Sequence, residues 1–126
     1  MRAVVVDRLM EPSELRVSEV DAPKLWPGTM AVDIRAAGCN FFDILMCQGK
    51  YQVKPPFPFT PGAEVAGVVS ELGPGVADVA LGDRVFAGLS LGAFAERVAV
   101  PVSALHRMPA AMSFPEGAAF PVVYPT

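Results

Sequence analysis

Thirteen prolines and eleven glycines punctuate this chain of 126 residues. Proline brings no backbone donor and glycine loses the most entropy on ordering, so neither sits well inside a long element. Punctuation this dense fits many short strands joined by tight turns. Hydrophobic residues make up 52% of the sequence, enough at this length for one globular domain with its own core.

The periodicities agree. Met1–Val6 reads as a first strand, too short in its apolar run for a signal peptide. Leu15–Val20 and Met30–Arg35 alternate apolar and polar, the period of a half-buried strand, and Gly38 breaks the second of them. Asn40 is a good helix N-cap and Asp43 falls inside the first turn, so a short helix is expected from Phe41 to Gly49. The Pro55-Pro56-Phe57-Pro58 run that follows cannot be regular structure. Val65–Leu72 is the strongest strand, β-branched and apolar on both faces at first. Strands follow at Arg84–Ala87 and Phe94–Val100, and the Ser113–Glu116 spacing of a capping box opens a second helix that should break at Pro121. Six or more short strands with one or two short helices predict a mainly β, partly open, twisted barrel.

A net charge of -3 and the absence of any Lys or Arg block argue against a nucleic-acid surface. No apolar run approaches the roughly 20 residues of a membrane span. Cys39 and Cys47 lie too far apart along a helix, about 12 Å, for a disulfide. They read as free, buried thiols, which suits a reducing, cytoplasmic setting.

Two segments carry more than fold. Gly38-Cys39-Asn40-Phe41-Phe42-Asp43 and Pro61-Gly62-Ala63-Glu64-Val65-Ala66-Gly67 resemble catalytic-domain motifs of the medium-chain dehydrogenase/reductase superfamily. Gly49-Lys50-Tyr51, Gly82-Asp83-Arg84-Val85 and Pro121-Val122-Val123-Tyr124-Pro125-Thr126 continue the likeness in order and spacing, so it covers nearly the whole chain. Zinc-dependent members carry a Cys and a His where this chain has Asn40 and Ala63, so the resemblance is to the zinc-free quinone oxidoreductase branch. It implies a GroES-like catalytic domain over 1–126 and a Rossmann domain beyond it that holds most of an NADPH cofactor. No G-x-G-x-x-G is present in the chain, so either it is cut from a longer protein or the gene product is short. The resemblance also implies homodimers of the intact protein.

The residues bear on the chemistry directly. A catalytic zinc site needs three protein ligands, and the chain holds one His and two Cys, with Cys39 one residue off the ligand position. A site from Cys39, Cys47, His106 and Glu64 can be drawn on paper; buried thiols and a surface histidine are the simpler reading. Without a Lewis acid, hydride addition to a quinone or an α,β-unsaturated carbonyl remains accessible, because conjugation spreads the developing charge and hydrogen-bond donors can stabilise it. Asn40 is the first candidate donor, to the substrate oxygen or the nicotinamide ribose, against a plain role as helix cap. Tyr51 is the second, a protonated phenol that can donate to a carbonyl or stack near the nicotinamide, against a role closing the helix end. Thr126 matches a family position near the nicotinamide, so Asn40, Tyr51 and Thr126 are the expected cofactor contacts. Asp43 is read as a helix-start group that helps to hold Asn40. Glu64, a carboxylate in an apolar strand, must be hydrogen-bonded or neutralised. Phe41, Phe42, Phe57 and Phe59 could wall an apolar pocket, although aromatics at such positions more often belong to the core.

The expected function is the substrate side of an NADPH-dependent, zinc-independent reductase of quinones or α,β-unsaturated carbonyls. An enoyl-thioester reductase shares the frame. A rival from another class is a short, non-catalytic binding or structural module that uses the same barrel.

Overall fold

In the computed structural model, residues 1–123 are described; Tyr124, Pro125 and Thr126 lie outside the described residues. Strand β1 (Arg2–Val5) pairs with β2 (Arg16–Glu19) in a two-stranded antiparallel sheet. Five further strands form the main sheet: β3 (Thr29–Gly38), β4 (Glu64–Leu72), β5 (Arg84–Gly88), β6 (Arg97–Pro101) and β7 (Leu105–Arg107). Their order is β6-β3-β4-β5-β7 and every pairing is antiparallel. Single bridges from Ala3 to Ala95 and from Val6 to Phe59 tie the small sheet to the body. The main sheet does not close on itself, with β6 at one end of the order and β7 at the other. The expected mainly β, partly open architecture is the one observed.

Strand β4 is the hub, and its composition explains why. It lies between β3 and β5, and both of its faces are covered from Glu64 to Gly67. Val65 and Val69 face the main core with Met30, Val32, Val85 and Val100. Ala66, on the other face, packs with Phe86, Met108 and Ala118 under the helix α2 (Phe114–Val123). Gly67 permits the close approach of β3: a Cβ there would overlap the Asp33 carbonyl oxygen. Strand β3 runs three residues past the expected Arg35, because two register shifts let it bend and stay paired with β4 as far as Gly38.

Helix α1 (Phe41–Gln48) buries Asp43, Met46 and Cys47, at the spacing of one helical face. Eight residues are too few for a helix that stands alone. Its ends are therefore fixed locally, by the Asn40–Asp43 capping box and by Gly49 in the left-handed region at φ 71. Its buried face adds Met46 and Cys47 to a cluster with Val6, Met10 and Phe59. Each fully buried apolar side chain of this kind contributes about 1.5–3 kcal/mol.

Helix α2 opens as expected, with reciprocal bonds between Ser113 and Glu116 at 3.0 and 3.2 Å. It does not break at Pro121 but runs to Val123. The proline ring removes one backbone donor near the end of the helix. Packing of Gly117 and Ala118 onto Ala66 and Met108 outweighs that loss. Among the described residues no helix is long and apolar enough to cross a membrane.

Candidate functional site

Two carboxylates are buried among the described residues, Asp43 at 5% and Glu64 at 3% exposure. Both are tied to Asn40. The Asn40 side-chain amide donates from Nδ2 to Glu64 Oε1 at 2.9 Å, and its backbone N–H donates to Asp43 Oδ2 at 2.8 Å. The backbone at Asn40 is extended, as an N-cap requires, which swings the side chain off the helix and toward β4. A carboxylate only accepts, so it is the nitrogen of the amide that meets Glu64.

Gly38 makes this arrangement possible. It pairs with Glu64 across β3 and β4, and a Cβ at Gly38 would overlap Oε1, Cδ and Cγ of the Glu64 side chain. The carboxylate lies in the space that the absent side chain leaves. Gly62, at φ 106, is fixed by a similar crowding: its Cβ would meet Ala93 and the Phe94 backbone nitrogen. Bonds from the 89–94 loop to Thr60, Pro61, Gly62 and Ala63 then hold the segment that leads into Glu64.

Burial pushes the Asp43 carboxyl above the ordinary value of 3.8, and the nearby charge of Glu64 adds to the rise. The N–H groups of Asn40 and Gly62 oppose it by favouring the charged form. Asp43 Oδ1 is nevertheless buried with no hydrogen-bond partner of ordinary geometry. The Cys47 thiol is pushed up too, by burial first and by the Asp43 charge second.

Helix α1 separates two clefts. One, of about 510 Å³, is lined by Cys39, Asn40, Phe41, Asp43 and Ile44 among others and is predominantly apolar. The other, of about 690 Å³, is lined by Phe42, Ala63, Leu89, Ser90 and Leu91 among others. Consecutive residues at the start of α1 thus face different clefts, Phe41 the first and Phe42 the second. Tyr51 packs on Phe42, with ring centroids 5.7 Å apart, and is in the lining of neither cleft.

Of the residues singled out in the sequence, Asn40, Asp43 and Glu64 come together in one network. Asn40 serves both as cap and as a donor aimed at another element. Tyr51 stands behind Phe42 rather than in that network. Thr126 lies outside the described residues. Phe41 is exposed on the first cleft, whereas Phe59 is core and stacks with Phe57 at 5.9 Å. His106 is exposed and stacks on Phe86 at 5.1 Å, away from Glu64. Among the described residues no three of His, Cys, Asp and Glu gather as a metal-holding group. The thiol expectation needs one correction: Cys47 is buried but Cys39 is exposed. Cys39 sits between the end of β3 and the first turn of α1, where neither the sheet nor the helix covers it. Sequence reasoning read Gly38 only as a strand break, whereas it is the last paired residue of β3; its backbone conformation is ordinary, and its role emerges only when Glu64 folds across it.

Residues 26–110 match the alcohol dehydrogenase GroES-like domain. Quinone oxidoreductase-like protein 2 of Mus musculus is 42% identical over 125 residues, which are 99% of this chain and 35% of that protein. The chain thus spans about a third of the length of that relative. The crystal structure of the human synaptic vesicle membrane protein VAT-1 homolog-like protein superposes with a TM-score of 0.93 at 38% identity, over 97% of this chain and 40% of that one. The quinone oxidoreductase from Thermus thermophilus, solved also in complex with NADPH, gives 0.82 at 39% identity, over 97% and 37%. The chain belongs to the alcohol dehydrogenase GroES-like domain family, within the quinone oxidoreductase-like group of the medium-chain dehydrogenase/reductases.

Proposed function

We propose that this chain is the substrate-side domain of an NADPH-dependent, zinc-independent reductase of quinones or α,β-unsaturated carbonyls. The observation that carries the reading is the Asn40–Glu64 bond beside Ala63. Where zinc-dependent relatives place two metal ligands, this chain places an amide and a methyl, and the amide is already engaged with the buried acid. An amide has two N–H groups and Glu64 takes one of them. The other is available in kind to a carbonyl oxygen or a ribose hydroxyl.

The donor set fits a nicotinamide cofactor in part. Asn40 offers hydrogen bonds of the type that a ribose or carboxamide uses, and Phe41 and Ile44 offer apolar surface to a flat ring. NADPH, when bound, supplies the hydride, held mainly by residues outside this chain. The residues of this chain then orient and polarise. Asn40, fixed from two sides by Glu64 and Asp43, presents its donor without reorganisation, the condition under which a hydrogen bond lowers a barrier most. Tyr51, whose ring packs on Phe42, is assigned as the second donor, for the proton that the reduced oxygen takes up. Thr126 is assigned with them as a cofactor contact.

The test uses the complete gene product. It should oxidise NADPH with benzoquinone, and a strong chelator should leave the rate unchanged. Chelator-sensitive turnover would falsify zinc independence, and no turnover with any quinone or enone would favour a binding module.

A further inference from the structure

The second cleft, of about 690 Å³, holds one side-chain hydroxyl in an otherwise apolar lining. Ser90 alone among the lining residues has a polar side chain; the others include Phe42, Ala63, Leu89, Leu91 and Ala104. We propose that Ser90 anchors the carbonyl oxygen of the substrate, which assigns the second cleft to a quinone ring and leaves the first to the cofactor.

Ser90 is available to a ligand. It is exposed, and among the described residues its hydroxyl forms no hydrogen bond. The loop that carries it is nevertheless fixed on both sides. Leu89 donates its N–H to Ala63 at 2.7 Å, and Gly92, Ala93 and Phe94 donate theirs to Thr60, Gly62 and Pro61 at 2.8, 3.2 and 3.0 Å. Ser90 and Leu91, between these bonds, give no N–H to that segment. A hydroxyl on a held loop, set against apolar walls, is the usual make-up of a small-molecule site. A fixed donor also serves a carbonyl oxygen well, because it needs no reorganisation when the oxygen arrives.

The place of the cleft suits a substrate. Ala63 lines it, and Glu64, the next residue, accepts from Asn40 in the wall of the first cleft. The two clefts therefore approach each other at the Asn40–Glu64 bond. With the substrate oxygen on Ser90, the second N–H of Asn40 is left for the nicotinamide ribose. A hydroxyl both donates and accepts. Ser90 donates to the carbonyl of the quinone and accepts from the O–H of the hydroquinone, so it holds the ligand alike before and after reduction. An interaction of that kind shows in KM rather than in kcat.

That the ligand is a quinone rests on the proposed function, but the first test needs neither cofactor nor turnover. Duroquinone, whose ring carbons are fully substituted and so resist thiol addition, is titrated into the 126-residue chain and followed by amide NMR. Shifts are expected at Leu89, Ser90 and Leu91 and not at Phe41 and Ile44. Ser90→Ala should weaken binding about fivefold, the loss of one ordinary hydrogen bond, whereas Ser90→Thr keeps the hydroxyl and should stay within about twofold of the unaltered chain. In the complete protein Ser90→Ala should raise the quinone KM by the same factor and leave kcat and the NADPH KM unchanged. No detectable binding, shifts confined to the first cleft, or equal affinity in Ser90→Ala overturns the proposal, and so does an NADPH KM that rises with that of the quinone. If Ser90 anchors duroquinone while the complete protein reduces no quinone, the site stands and the reductase reading falls.

Discussion

Asn40 Nδ2 lies 2.9 Å from Glu64 Oε1, joining the start of α1 to the start of β4 across 24 residues of sequence. The same residue's backbone N–H serves Asp43. One residue thus helps two buried acids to stay buried. Removing its side chain should destabilise more than loss of an ordinary helix cap, which costs about 1 kcal/mol. Asn40→Ala is expected to cost about 2–3 kcal/mol, because Glu64 loses a charge-compensating donor inside the protein. Glu64→Gln keeps a carbonyl acceptor for the amide and should cost distinctly less. Urea unfolding of both variants checks the order; equal losses would mean that the bond is incidental.

Gly38 bears on the same bond from the other side. Any Cβ there occupies the volume of the Glu64 carboxylate, so Gly38→Ala must expel the acid and break its bond to Asn40. The expected loss is about 2–4 kcal/mol, the range of a buried network that is broken. In the Glu64→Ala background the overlap is gone, and the second change should cost far less. A double-mutant cycle with strictly additive losses would show that Gly38 is required for some other reason.

The sequence made α1 legible because both of its ends are local. Asn40, Asp43 and Gly49 lie within one short segment, and each acts on its own neighbours. Glu64 was legible as a problem, a carboxylate in an apolar strand. Its solution was hidden, because the partner sits in another element and the space comes from an absent side chain at Gly38. The extra length of β3 was equally hidden, since its register shifts are defined only against β4. Pro121 misled because the local rule was sound but the sheet beneath α2 outweighed it. Cys39 misled through its neighbours: an apolar context in sequence became a cleft wall in space.

Tyr51 tests the chemistry apart from the fold. Its ring packs on Phe42, and Tyr51→Phe keeps that contact. Stability should therefore change by less than about 0.5 kcal/mol, as for other substitutions that spare the packing. Quinone turnover by the complete protein should fall about tenfold or more if the hydroxyl assists proton delivery. Unchanged turnover would leave Tyr51 with a packing role alone.

Asp43 supplies a prediction in pH. Burial raises its carboxyl in the folded state above the ordinary 3.8, with the Glu64 charge adding to the rise. The native chain therefore binds the proton more tightly than the unfolded chain, and native-state proton uptake exceeds that of the unfolded state between the two values. Stability from this group then falls as pH rises through that window, and acidification returns it. Asp33, Glu96 and Glu116 act in the opposite sense. Burial works to raise Asp33, but its bond to Arg97 prevails and lowers it; N–H bonds from Arg2 and Ser113 lower Glu96 and Glu116. The wild-type curve alone is thus a sum of opposed contributions, and the difference from Asp43→Asn isolates the one of interest. Asparagine keeps an acceptor for the Asn40 N–H but carries no charge beside Glu64. Relative to that variant, the wild type should gain stability as pH drops from neutral to about 4. A difference that is flat with pH, or that grows in the variant's favour on acidification, would show that Asp43 titrates as an ordinary exposed acid and that the two carboxylates do not sense each other.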